Sequence, residues 1–132
     1  MKTRILKIEE LKFDKELYPR MKTDWLVAYR YADAMKAGAI FPPIFVGCYK
    51  NELYVIDGWH RIEAKKLLKE EYIEGIVKNF DDRKEMFIEA IKRNISHGKP
   101  LSTQEKVRLI DKLQKMNFTL EQISKIILMP IK

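Results

Sequence analysis

The spacing of apolar and polar positions changes period several times along this chain, and each change predicts an element. Residues 4–11, Arg-Ile-Leu-Lys-Ile-Glu-Glu-Leu, suggest an opening strand. From Thr23 the period lengthens. Trp25, Ala28, Tyr29, Ala32 and Met35 fall on one helix face, and Gly38 is placed to stop that helix. Ile44 to Tyr49 and Leu53 to Ile56 read as strands around Lys50-Asn51-Glu52, a spacing that invites a hairpin, and Pro42 and Pro43 keep a helix out of the first of them.

The next change is the most informative one. Leu53-Tyr-Val-Ile-Asp57-Gly58-Trp59-His60-Arg61-Ile62-Glu-Ala64-Lys-Lys-Leu67-Leu68 is an apolar run that breaks at Asp-Gly and restarts at helical spacing, so it predicts strand, tight turn, helix. Asp57 is the expected cap, its carboxylate accepting from first-turn amides, while Gly58 supplies backbone angles closed to other residues. A helix start with His60 and Arg61 on its first turn gathers donors and positive charge where a phosphate would sit. The plainer reading is ordinary capping with two solvated side chains.

Tyr72 to Lys78 alternates as another strand. Asp81 and Asp82 then open a helix whose apolar line runs through Met86, Phe87, Ala90, Ile91 and Ile95, closed by Gly98-Lys-Pro100. Ser102-Thr-Gln-Glu105 and Thr119-Leu-Glu-Gln122 both have the reciprocal capping pattern. Val107, Ile110, Leu113 and Met116 follow the first, and Ile123, Ile126 and Ile127 the second. The expected division is a mixed α/β body over residues 1–98 and a helical extension over 99–132.

Composition adds limits. The length of 132 residues suits one compact domain with a small appendage, and 46% hydrophobic residues can fill a core. No apolar run approaches a membrane span and the N-terminus lacks a signal peptide's apolar region, so a cytoplasmic protein without membrane contact is expected. The single Cys48 allows no internal disulfide and reads as core rather than nucleophile. His60, His97 and Cys48 lack the close spacing of a metal motif, so no metal site is expected. A formal charge of +7 favours polyanionic partners where it coincides with a binding element, although Lys/Glu/Ile richness of a thermophilic kind would give the same surface.

Ile56-Asp-Gly-Trp-His-Arg-Ile-Glu-Ala64 resembles the signature of the ParB/sulfiredoxin superfamily, a Gly-x-x-Arg-x-x-Ala turn and helix. Gly38-Ala-Ile-Phe-Pro-Pro-Ile-Phe-Val46 is similar to the family's preceding strand, Tyr18-Pro19-Arg20 to its first box, and Ala90 through Asn94, His97, Gly98 and Ser102 to its third. The likeness spans roughly residues 5 to 128. It is especially similar to ParB-like domains fused to DNA-binding regulators.

The resemblance implies an α/β (α+β) fold, a small mixed sheet with flanking helices. It also implies a nucleotide-responsive DNA-binding or regulatory module of the partition or transcription-regulation type. Asp57, Gly58, His60, Arg61, Asn94 and His97 would bind the nucleotide, CTP or else ATP or ADP, with magnesium. Family members often act as dimers, so a homodimer is a further expectation.

Trp59 stands where sulfiredoxin carries its nucleophilic Cys and where CTP-hydrolysing ParB proteins carry a Glu, and Arg93 replaces the Glu before Asn94; thiol chemistry and triphosphate hydrolysis are both put in doubt. The alternative is a small-molecule kinase similar to the free-serine kinases of this fold, whose Asp-Gly-x-His-Arg is close to Asp57 through Arg61. In it Asp57 or His60 would help position phosphate and metal, and a carboxylate among Glu9, Glu10 and Glu16 would accept the hydroxyl proton, which makes Asp57 and Glu10 the catalytic candidates.

Phe118 to Pro130 resembles the first helix and turn of a helix-turn-helix, the recognition helix being absent from these 132 residues, as in a truncated chain. Lys106, Arg108, Lys112, Lys115 and Lys125 would then touch DNA phosphates. An amphipathic packing helix with a solvated basic face has the same pattern.

Overall fold

The structure, a computed structural model, describes residues 2–14, 24–95 and 102–128. These fall into two compact units that part between Asp81 and Asp82.

The first unit is a five-stranded mixed sheet with two helices. The predicted opening strand is broken. Strand β1 (Thr3–Lys7) gives way to a single 3-10 turn at Ile8–Glu10 and then to the two-residue strand β2 (Leu11–Lys12). The last β1–β5 contact is made at Ile8, whose side chain is buried and whose N–H donates to Glu71 O at 2.9 Å, in register with the ladder; beyond it the chain turns away. Helix α1 (Trp25–Lys36) follows, then β3 (Ile44–Tyr49), β4 (Glu52–Asp57), helix α2 (Trp59–Leu67) and β5 (Tyr72–Asn79).

Strand order is β1-β5-β3-β4-β2, with β1 on β5 and β3 on β4 antiparallel, and β3 on β5 and β2 on β4 parallel. Four strand spacings in a flat sheet would separate the edges by about 19 Å, yet the four residue steps from Lys7 to Leu11 reach at most about 14 Å. The sheet therefore curls, bringing the end of β1 and the start of β2 closer than a flat sheet would allow. Across that far edge Lys12 Nζ lies 2.7 Å from Glu52 Oε2, which also accepts from the Tyr54 hydroxyl at 2.9 Å.

The hairpin forms as expected, with Lys50 and Asn51 as its two-residue turn at φ 51° and 62°, the left-handed pair that matches strand twist. Gly38 closes α1 at φ 97°, donating its N–H to Met35 O. The α1 face is narrower than its periodicity suggests. Ala28 and Ala32 are buried, whereas Trp25 and Tyr29 remain half exposed. Ala64 and Ile62 of α2 are also buried, and small residues on both helices allow the close approach that longer side chains would prevent. In the sheet itself, Ile44, Val46, Val55 and Ile56 are fully buried. Gly75 of β5 leaves room for this layer, because a Cβ there would lie 2.6 Å from Leu6 Cδ1 and 3.0 Å from Ile44 Cγ1.

The second unit is helical: α3 (Arg83–Ile95), α4 (Thr103–Lys115) and α5 (Leu120–Leu128). Asp82 opens α3 as expected, Oδ1 accepting from Lys84 N at 2.9 Å. Met86, Phe87, Ala90 and Ile91 form the predicted buried line. On α4 the buried face is turned from the expected one: Leu109 and Leu113 are buried and Val107 is 61% exposed. Ile123 and Ile126 are the buried positions of α5.

Candidate functional site

The strand–turn–helix motif forms where the sequence places it, but the cap moves by one residue. Asp57 ends β4, and Gly58 takes the cap position at φ 129° and ψ 20°, a conformation that only glycine adopts without strain. Space demands glycine too. A Cβ on Gly58 would lie 2.4 Å from Ile44 Cγ2 and 2.8 Å from Ile44 Cβ. The first turn of α2 is thus seated directly on the first residue of β3. The N–H groups of Trp59, His60 and Arg61 precede the first helical hydrogen bond, Ile62 N to Gly58 O at 3.0 Å.

Arg61 binds the motif to the body from the same turn. Its Nη1 donates to Pro42 O at 2.8 Å and to Pro43 O at 2.9 Å, and Nη2 stands 3.3 Å from Asp57 Oδ2. The guanidinium therefore ties three segments together: the approach to β3, the end of β4 and the start of α2. Its side chain is only 13% exposed. On its outer side an open groove of about 240 Å³ lies between Met35, Phe41, Pro42, Arg61, Lys65 and Glu74.

His60 sits differently from the phosphate-facing donor that its position suggests. Its Nε2 accepts the backbone N–H of Asp24 at 3.1 Å, so the imidazole is neutral with its hydrogen on Nδ1. Burial pushes its pKa below the ordinary histidine value, and the nearby Asp24 carboxylate only partly offsets this.

Trp59 anchors an aromatic cluster that periodicity did not reveal. Its ring meets Trp25 at 5.2 Å, Phe13 at 6.3 Å and His60 at 5.2 Å between centroids, all near edge-to-face, and Tyr31 meets His60 at 6.1 Å. The position that would carry a catalytic Glu or Cys thus carries an indole packed among rings. Phe13, Trp25 and Asp24 join the motif only through tertiary structure. The one local hint is Val27, an apolar residue at the place where a helix opened by Asp24 would carry a reciprocal cap.

Among the other expected site residues, the Asn94 side chain and His97 lie outside the described residues, as does Glu16. Glu9 and Glu10 stand exposed on the 3-10 turn, Glu9 pairing with Lys7 at 2.9 Å. Cys48 is half-buried in β3, and its carbonyl accepts from Phe80 N. No group of three or more metal-ligating side chains occurs among the described residues.

In the helical unit, Arg108, Lys112 and Lys115 recur at i, i+4 and i+7 and so share one face of α4. Lys106 is half-buried and lies on the side of Leu109 and Leu113. Lys115 pairs with Asp111 at 3.0 Å and Lys125 with Glu121 at 3.9 Å, both exposed.

The curled mixed sheet with its glycine-opened helix is the ParB/sulfiredoxin fold. The chain matches the ParB N-terminal domain over residues 2–95 and belongs to that family.

Among solved structures, it is similar to C-terminally truncated chromosome-partitioning protein ParB from Caulobacter crescentus complexed with CTP-gamma-S. That likeness is at 18% identity and TM-score 0.62, covering 96% of this chain and 71% of that one. The same protein complexed to the centromeric parS site gives 19% identity and TM-score 0.62, covering 94% and 64%. Sulfiredoxin from Arabidopsis thaliana gives 19% identity and TM-score 0.57, covering 69% of this chain and 98% of that one. A comparison with curated proteins returns no match. No helix among the described residues is long and apolar enough to cross a membrane.

Proposed function

We propose that this chain is a nucleotide-responsive DNA-binding module of the partition or transcription-regulation type, which binds its nucleotide without hydrolysing it. The observation that carries the reading is the turn at Gly58 in a chain of the ParB N-terminal domain family. The N–H groups of Trp59, His60 and Arg61 precede the first helical hydrogen bond there, which is where a ligand phosphate would sit. A ParB of this fold is complexed with CTP-gamma-S, and the same protein with parS DNA, which favours CTP as the first candidate and DNA as the partner.

Asp57 and Gly58, with His60 and Arg61 through their backbone N–H groups, would form the phosphate side of the site, with Asn94 and His97 as further candidates. Magnesium would accompany the phosphates, because the turn brings only the Asp57 carboxylate to meet it. Trp59 supports binding without hydrolysis, since an indole can neither hold a metal nor take a proton from water. Arg108, Lys112 and Lys115, with Lys106 and Lys125, would supply sequence-independent phosphate contacts to DNA.

Calorimetry against CTP, ATP and ADP, with and without magnesium, tests the first half. CTP should bind in preference and persist unhydrolysed; turnover of ATP or ADP with serine would replace this reading with the kinase one. Fluorescence anisotropy on unrelated duplexes tests the second. Binding should be similar for all of them and fall steeply with salt, and Arg108→Ala should flatten the salt slope by about one unit. Absence of binding at low salt would remove DNA from the proposal.

A further inference from the structure

The start of α1 contains an unusual division of labour. In a capping box the cap side chain accepts from an amide two or three residues on, and a polar side chain at the third helical position accepts the cap's own N–H. Helix α4 does this with Ser102 and Glu105, the two bonds measuring 3.2 and 2.9 Å. Before α5, Thr119 and Gln122 do the same at 3.1 and 2.9 Å. At α1, Asp24 Oδ1 accepts from Leu26 N at 2.9 Å, but the third helical position is Val27 and has nothing to return. The missing half comes from another helix: His60 Nε2, on the first turn of α2, accepts Asp24 N–H at 3.1 Å.

This substitution matters chemically, because a Glu or Gln oxygen accepts at every ordinary pH and an imidazole nitrogen does not. A protonated Nε2 carries hydrogen, so it repels the Asp24 N–H that the neutral ring accepts. We propose that His60 is a proton-operated latch between α2 and α1, closed when the imidazole is neutral and released when Nε2 takes a proton from solvent.

The released imidazolium has a partner at hand in the Asp24 carboxylate, which would then compete with Leu26 N–H and loosen the cap further. The described groups around His60 are few. From α1 come Asp24 and the Tyr31 ring at 6.1 Å, and from α2 the Trp59 ring at 5.2 Å. Arg61, the next residue, turns its guanidinium toward Pro42, Pro43 and Asp57 instead. Burial of the ring against these neighbours favours the neutral, latched form, while Asp24 is the charge that favours release. The latch does not depend on the nucleotide site proposed above.

NMR titration from about pH 8 to about pH 5 tests it, following the His60 imidazole together with the amides of Asp24, Trp25 and Leu26. Ring and amides should share one midpoint below the ordinary value of about 6.5. Amide exchange at the α1 start, corrected for its intrinsic pH dependence, should speed up by about tenfold across it. In His60→Gln the side-chain oxygen can accept at all pH values, so the step should vanish with the start of α1 protected throughout. In His60→Ala the start should exchange fast at every pH. Titration of His60 at its ordinary value with the three amides unmoved would overturn the latch, as would a pH step that persists in His60→Gln.

Discussion

The starts of α1 and α4 solve the same problem by different means. Both helices leave N–H groups without intrahelical partners, and both satisfy them through reciprocal side-chain bonds. At α4 the two partners are three residues apart, Ser102 and Glu105, whereas at α1 they are 36 apart, Asp24 and His60. A local cap survives as long as its own turn is intact. The His60 half of the α1 cap exists only if β4, Gly58 and α2 are all in place, so it reports on more of the first unit than its own turn. The difference teaches that the family motif here is a structural keystone as well as a candidate site. The turn that opens α2 also fixes the entry of β3 through Arg61 and the start of α1 through His60.

Breaking the keystone should cost more than breaking any local cap. Gly58→Ala should have the largest effect, because it forces an L residue to φ 129° and drives a methyl group into Ile44. A loss on the order of 3 kcal/mol or more is expected from urea unfolding, with little folded protein if stability is marginal.

Arg61→Ala should follow. It leaves the carbonyls of Pro42 and Pro43 and the Asp57 carboxylate without their cation, at a cost of about 2–4 kcal/mol. The measurement must precede any ligand assay, since loss of binding in an unfolded sample says nothing about contact with ligand.

Ser102→Ala and Thr119→Ala should each cost about 1 kcal/mol and leave the first unit unaffected, which hydrogen exchange resolved by segment can verify. A loss at Ser102 that spread into α1 would contradict the contrast drawn above.

The smallest expected effect is the dependence on pH. His60 has a folded pKa below that of the unfolded chain, so between the two values the unfolded state holds more proton. Its contribution is complete above about pH 6.5 and is lost as pH falls through the window beneath. Unfolding midpoints measured across this range should decline toward acid in the wild type. They should decline less in His60→Gln.

Much of the fold was legible because its signals are local. The hairpin turn, the Gly38 stop, the start of α3 at Asp82 and both capping boxes each depend on residues within a few positions of one another, and each formed where expected. The break at Ile8 was not legible, because alternation alone cannot say that a strand will turn and pair at the opposite edge of a curled sheet. The α4 face was turned because Val107 and Leu109 suit a helix equally, and only the packing of the helical unit chose Leu109.

Of the candidate site, sequence by itself determined the turn: a strand that must break at Gly58 and a helix that must start there with His60 and Arg61 on its first turn. It determined this because glycine, chain direction and helical spacing act within one short segment. Only the tertiary structure decided what those side chains do. Arg61 meets carbonyls 18 and 19 residues away, His60 accepts a hydrogen bond from a backbone N–H 36 residues away, and Trp59 lies among rings from two other segments. Partners that distant in the chain are set by how the sheet curls and where α1 returns, and no local pattern encodes either.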